Sequence, residues 1–124
     1  MQKLFLILGS IAMALATALG AFGAHGLKEV LTDEMLDIFE TGVRYHFYHA
    51  IGLLLLSFAV QFMPNSSLLQ WSGWLMIGGI LIFSGSLYLL SILGIRWLGA
   101  ITPVGGLCFI ISWILLAMAA WQNL

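Results

Sequence analysis

Charged residues are scarce in this 124-residue chain, and the few that it has are crowded together. Only 7% of residues are charged, and seven of the nine charged side chains fall between Lys28 and Arg44. A soluble domain needs charge spread over its surface, because folding leaves a large area in contact with water. Hydrophobic residues make up 62% of the chain, and the mean hydropathy is +1.10. The sequence therefore predicts an integral membrane protein.

Cysteine and basic residues are also rare, with one cysteine and four lysines and arginines, and each shortage argues against a class of protein or site. The single cysteine, Cys108, cannot form an internal disulfide, and an apolar run suppresses thiolate formation, so we interpret it as a packing residue. A net charge of −1 argues against nucleic-acid binding, which needs a basic face. The apolar runs lack the alternation of a membrane barrel strand, so helices are predicted.

Four apolar runs are long enough to cross a bilayer as helices. A hydrocarbon core of about 30 Å takes roughly 20 helical residues. We predict an all-α, single-domain bundle over residues 1–124, with membrane spans at about 4–24, 45–63, 71–91 and 101–121. Lys3 and the run after it also look like a secretory signal. That run is longer than the roughly 7–15 apolar residues of a signal, so we predict a spanning helix.

The charged stretch before the second run predicts a short amphipathic surface helix at about 31–42. Four apolar residues recur there at helical spacing, with acids between them: Leu31, Met35, Ile38 and Phe39. Thr32 is the predicted N-cap, and Gly42 a predicted bend where the chain enters the bilayer. The outer face carries Asp33, Glu34 and Asp37. It suits solvent or a partner protein better than anionic headgroups.

Small residues repeat along the first run. The main stripe has i, i+4 spacing and is widened by neighbours: Ala12, Ala16, Gly20 and Ala24, with Ser10, Ala14, Ala18 and Ala21. Lipid gives no hydrophobic drive for helix pairing, so small residues that permit close approach mark a packing face. The stripe predicts that helix 1 is central or makes an oligomer contact. The alternative is that alanine is simply tolerated there.

The densest polar cluster surrounds the start of the second run: His25, Glu40, Arg44, Tyr45, His46 and His49. Glu40 and Arg44 are one turn apart, which favours an ion pair. Three histidines near one depth suggest zinc, iron or haem, but no HExxH or CxxC spacing supports such a site. We therefore predict no metal or other cofactor. Instead, His25 and His49 are predicted to form hydrogen bonds across the interface of the first two spanning helices.

A second polar set lies in the last two runs. Ser84, Tyr88 and Ser91 share one line of the third run, and Thr102 begins the fourth. Hydroxyls facing lipid would gain nothing, so these side chains are predicted to face the bundle interior. We interpret them as groups that join helices. The alternative is a polar groove within the membrane, completed by His49.

Four ordered motifs carry a family resemblance: GAFGAHGL at 20–27, RYHFYHA at 44–50, FSGSLY at 83–88 and ITPVGG at 101–106. Together they resemble the small bacterial membrane proteins known as domain of unknown function 423, which have a eukaryotic relative called transmembrane protein 256. The resemblance covers nearly the whole chain. It implies a four-helix, multi-pass protein of the bacterial cytoplasmic membrane, and it brings no established activity and no catalytic residues.

These observations favour a non-enzymatic structural or accessory component in contact with membrane lipid, working as a homo-oligomer or beside a larger membrane complex. Two alternatives remain in other classes. One is a small-solute transporter, channel or lipid-binding protein that uses the polar groove. The other is a metal- or haem-binding protein that uses the three histidines. No spanning run holds a central charged residue, which argues against an ion-coupled pump.

Overall fold

The computed structural model describes residues 1–124 and is built from helices alone. In chain order they are α1 (Gln2–His25), α2 (Asp33–Phe62), α3 (Ser67–Gly79), a π-helical turn (Ile80–Ser84), α4 (Gly85–Leu93), a 3-10 helix (Arg96–Ala100) and α5 (Thr102–Asn123). The elements α3, π turn and α4 run on without a break, and together they are the third span. Four segments are therefore long and apolar enough to cross a membrane, which confirms the predicted all-α membrane fold.

The helix α2 is one 30-residue helix. Thr32 caps it as predicted, because its side chain accepts a hydrogen bond from the Met35 N–H at 3.3 Å. The amphipathic segment predicted at 31–42 therefore forms no separate short helix, because it continues through Gly42 into the second span without a break in the helix. Gly42 is buried against α4, where an added Cβ would lie 3.0 Å from the Tyr88 ring. The glycine permits close packing of α2 on α4 at this position.

The helix α1 lies at the edge of the bundle, so the prediction of a central position is wrong. It packs along its length on α2 through Gly9, Ala16 and Gly23, which recur every seven residues and are all buried. A Cβ at Gly23 would lie 2.7 Å from the Phe39 ring, so the two helices touch closely. Apart from α2, α1 meets the third span near its own start, where Phe5 packs on Gly73.

The helices lie in the order α1, α2, third span, α5. The two inner spans are 44% buried over their most apolar stretches, against 17% for α1 and 22% for the last span. The third span and α5 are joined by a hydrogen bond from the Ser72 hydroxyl to the Ser112 carbonyl at 2.7 Å. Both outer helices therefore present most of their surface to lipid or to another protein.

The π-helical turn marks the point where α5 comes closest to the third span. Gly105 of α5 lies directly against the backbone of Phe83, where a Cβ would have no room. On the other side of the turn, the Ser84 hydroxyl donates a hydrogen bond to the Gly42 carbonyl at 2.7 Å. The turn thus packs against α5 and α2 at the same level. Such single π turns are frequent at functional sites, and this one borders both grooves described below.

Candidate functional site

Two buried histidines on α2 link this helix to different neighbours. His46 and His49 are three residues apart and therefore lie on neighbouring edges of the helix. The Nδ1 atom of His46 lies 2.8 Å from the hydroxyl of Tyr88 on α4. The Nε2 atom of His49 accepts a hydrogen bond from the Trp113 indole of α5 at 3.0 Å. The two rings therefore join α2 to the third span and to α5.

The His49 ring is held on every side. Its Nδ1 atom lies 2.7 Å from the Tyr45 carbonyl, one turn earlier in α2. An indole N–H can only donate, so Nε2 must be the acceptor and Nδ1 must carry the proton that bonds Tyr45. The ring also stacks on Phe109, with centroids 3.4 Å apart and planes 7° apart. Both nitrogens of a neutral imidazole are thus satisfied within the protein.

The His46 ring is equally buried but has different neighbours. Its partner Tyr88 packs on Phe39 with ring centroids 5.1 Å apart. The carbonyl of Ala12, on α1, lies near the same imidazole. His46 is therefore the histidine that lies at the interface of the first two helices. The sequence placed His25 and His49 there.

A groove runs beside His46 between α1 and the third span, with α2 as its floor. We call it the His46 groove. Its volume is about 290 Å³. Ten of its twelve lining residues are hydrophobic: Leu8, Ile11, Ala12, Leu15, Leu19, His46, Leu53, Ile77, Ile80, Leu81, Gly85 and Tyr88. The histidine and the tyrosine supply its only polar side chains, so it suits an apolar occupant with one polar group.

A second groove, the His49 groove, lies between α2 and α5 and is larger, at about 650 Å³. Aromatic rings dominate its lining: Tyr45, Tyr48, His49, Phe83, Phe109 and Trp113, with Gly106 and Ile110. Because His49 has both nitrogens engaged, this groove presents ring faces and edges and leaves no free imidazole nitrogen.

The predicted ion pair between Glu40 and Arg44 does not form. Both side chains are exposed on the first turns of α2, where an i, i+4 pair adds only about 0.3–0.5 kcal/mol. The ion pair that does form joins Arg96 in the last connection to Glu34, at 3.3 Å. It too is largely exposed, and it ties the last connection to the first turn of α2.

The prediction for His25 is also wrong. Its side chain is exposed at the last residue of α1 and makes no hydrogen bond, because the helix ends beyond its contact with α2. The three histidines do not meet, and no group of three or more His, Cys, Asp or Glu side chains is placed to hold a metal ion. The prediction for His49 is wrong in its partners: the ring bonds the Tyr45 carbonyl within α2 and the Trp113 indole of α5, and neither partner is on α1.

The second polar set is divided among different contacts. Ser84 and Tyr88 face α2, where they bond the Gly42 carbonyl and His46. Ser91 donates to the Tyr88 carbonyl within its own helix, at 3.0 Å. Thr102 pairs with Ser86 at 2.6 Å. These residues do not line one groove, although Tyr88 contributes to the His46 groove.

Sequence reasoning did not connect Trp113 with His49. A signal for this pair was present, because a tryptophan in the middle of a span must find an acceptor for its N–H or leave it unsatisfied. Phe109 and Ser86 carried no comparable signal. Only the packing of α5 on the third span brings them to their partners.

Comparisons with known proteins agree with the membrane fold. A family model described as "Protein of unknown function (DUF423)" matches residues 19–106. The membrane protein YwdK of Bacillus subtilis is 52% identical over 123 residues, covering 99% of this chain and 100% of the relative. UPF0382 membrane proteins of Staphylococcus aureus and Staphylococcus haemolyticus are 46% and 43% identical over 121 residues, covering 98% of each chain. No solved structure matches.

Proposed function

Because the chain belongs to the DUF423 family of membrane proteins, whose description gives no activity, we propose a role from its surfaces: it is an accessory structural component of the cell membrane that assembles through the outward face of α1. The observation that carries this proposal is that α1 packs on α2 with one face and leaves a second face of small residues uncovered.

The outward face has the spacing of a helix-pairing surface. Its five residues are all exposed: Ser10, Ala14, Thr17, Ala21 and Ala24. They follow one another at steps of four, three, four and three, which is the spacing of residues that meet between two helices crossing at about +20°. Small side chains at these positions allow two backbones to come close in lipid. The face that meets α2 is a different set, so both can be occupied together.

The Ser10 hydroxyl gives independent support. Along the four membrane-crossing segments, every serine or threonine hydroxyl has a hydrogen bond except those of Ser10 and Ser67. Ser67 is the first residue of α3, at the end of a span. Ser10 lies roughly 12 Å along α1 from its start, within the apolar core of a bilayer. A second copy of α1 packed on this face would supply the missing partner.

We test this proposal by disulfide crosslinking in native membranes. In a Cys108→Ala background, Ala14→Cys and Ala21→Cys are expected to give a covalent dimer on mild oxidation. The matched control is Leu15→Cys. This residue is adjacent to Ala14 and is also exposed, but it lines the His46 groove.

Equal crosslinking from all three positions would indicate random collision and contradict the proposal, as would a monomer from all three. Ala14→Leu supplies a second measurement. The leucine enters an exposed site, so the bundle should keep its thermal stability while the dimer fraction in mild detergent falls several-fold. A crosslink to a different protein from the same positions would replace self-assembly with assembly into a larger complex.

A further inference from the structure

We propose that the His46 groove binds one acyl chain of a membrane lipid, with the carbonyl end of the chain at the His46–Tyr88 pair. This goes beyond assembly through α1, since the groove and the outward face are on different sides of that helix.

The length of the groove fits one leaflet of a bilayer. On the third span its lining runs from Ile77 to Tyr88, and on α1 from Leu8 to Leu19. In each stretch the first and last residues are eleven positions apart, which is about 16 Å at the rise of an α-helix. Half of a hydrocarbon core is about 15 Å. A chain entering from the headgroup side would therefore end near the middle of the membrane.

The volume of the groove distinguishes a chain from a helix. A helix about 10 Å across fills about 1,200 Å³ over a length of about 16 Å. A single hydrocarbon chain, about 4–5 Å thick by the contact distance of carbon atoms, fills about 200–300 Å³ over the same length. The groove holds about 290 Å³, which matches a single chain and is about a quarter of the volume of such a helix segment.

The polar pair lies at the end of the groove toward the first connection. Tyr88 is five residues before the end of α4, and Leu19 faces it from α1. A small apolar cluster of Leu27, Phe39 and Val43 packs beyond this point. The rest of the lining is apolar, so an amphiphile is oriented with its polar group toward the headgroups and its tail toward Leu8.

The chemistry of the pair suits a carbonyl oxygen. When the Tyr88 hydroxyl donates to Nδ1 of His46, the Nε2 atom carries the proton. The nearby Ala12 carbonyl of α1 is one acceptor for this proton, and an oxygen atom in the groove would be a second one. An ester or carboxyl carbonyl is such an acceptor at the head of every acyl chain. A plain hydrocarbon would leave this donor without a new partner, so the pair favours acyl lipids.

Gly85 permits a direct test, because it lines the groove and has no atom within 4 Å of an added Cβ. Gly85→Leu should fill the groove without disturbing the fold. The matched control is Gly78→Leu, on the same span and with equally open space, but outside the groove. Each variant is reconstituted in phosphatidylcholine vesicles that contain a phospholipid with a diazirine on one acyl chain, then irradiated and mapped by mass spectrometry.

In the unchanged protein, labels are expected on the groove residues of α1 and the third span. Gly85→Leu should reduce this labelling at least fivefold, while Gly78→Leu keeps it within twofold. Equal labelling of Gly85→Leu and the unchanged protein would overturn the proposal. Lipid released from protein purified in mild detergent identifies the source: an intact phospholipid or a free fatty acid would each support an acyl occupant, whereas retention of neither would contradict it.

Discussion

At the scale of single residues, His49 shows how a polar ring is accommodated in a membrane helix. Its two nitrogens are used by Tyr45 and Trp113, and its face is covered by Phe109. Together these contacts fix which nitrogen carries the proton, how the ring is rotated and how deep it lies between the helices. The side chain therefore joins α2 to α5 without any charge.

The His49–Trp113 hydrogen bond should contribute a measurable coupling energy. We expect a double-mutant cycle of His49→Phe and Trp113→Phe to give a coupling of about 0.5–1.5 kcal/mol, the range found for hydrogen bonds between membrane helices. His49→Phe keeps a ring to stack on Phe109, which limits the loss to the hydrogen bonds. The measurement is reversible unfolding in mixed micelles.

The control for this cycle pairs His49→Phe with Trp71→Phe, since Trp71 is exposed and far along the bundle from the histidine. That pair should be additive within about 0.3–0.5 kcal/mol. Additivity of the His49 and Trp113 substitutions as well would show that the indole N–H adds no stability here.

The sequence identified the polar residues of the site but not their partners. A buried imidazole needs hydrogen bonds wherever it lies, so its type and spacing predict that bonds will form. They do not predict which helix supplies the other atom, because that depends on helix order. His49 was therefore assigned to α1 although its partner is on α5, and His25 was assigned a bond although it lies beyond the packed part of α1.

At the scale of elements, the contact between α5 and the π turn depends on one glycine of an adjacent pair. Gly105 lies against the Phe83 backbone, whereas a Cβ at Gly106 would be 3.8 Å from the nearest atom of that ring. We expect Gly105→Ala to destabilise the protein by about 1–3 kcal/mol, the usual result of overpacking a tight contact. Thermal unfolding in detergent measures the effect.

Gly106→Ala is the matched control, one residue away in the same helix turn. Its methyl group enters ordinary contact space, and alanine is a better helix former than glycine by up to about 1 kcal/mol. Its stability should be unchanged or slightly higher. Similar losses from both substitutions would mean that α5 does not pack on the π turn as described.

The four spans were predictable because an apolar run has to match the thickness of the bilayer. The internal details of those spans were not. The π turn has no sequence signature, and Gly42 looks the same in sequence whether it bends a helix or admits a neighbour. The position of α1 in the bundle was not predictable either. Its small residues indicated that it packs on another helix, but they did not indicate how many helices it contacts.

At the scale of the whole molecule, the helix order places the first and third connections on one side and the short middle connection on the other. Single-cysteine variants in a Cys108→Ala background should show this. Val30→Cys and Asn65→Cys, both in exposed connections, are expected to react with a membrane-impermeant maleimide from opposite sides. Leu55→Cys, in the middle of α2 and facing lipid, should not react.

Detergent-solubilised protein serves as the control, in which Val30→Cys and Asn65→Cys both react fully. Labelling of Leu55→Cys in intact membranes would refute the second span. Reaction of the other two positions from the same side would require an even number of crossings between them, contrary to the single helix α2 that separates them.

The π turn also sets a rotational phase for the third span. A π turn holds one residue more than the α-helical turn it replaces, and one residue corresponds to about 100° of rotation. The half before the turn directs Ser72 to α5, and the half after it directs Tyr88 to His46. Removing a single residue within Ile80–Ser84 would leave both halves helical and equally apolar, yet it would rotate one relative to the other. The span would still cross the membrane, but it could no longer face both of its neighbours at once.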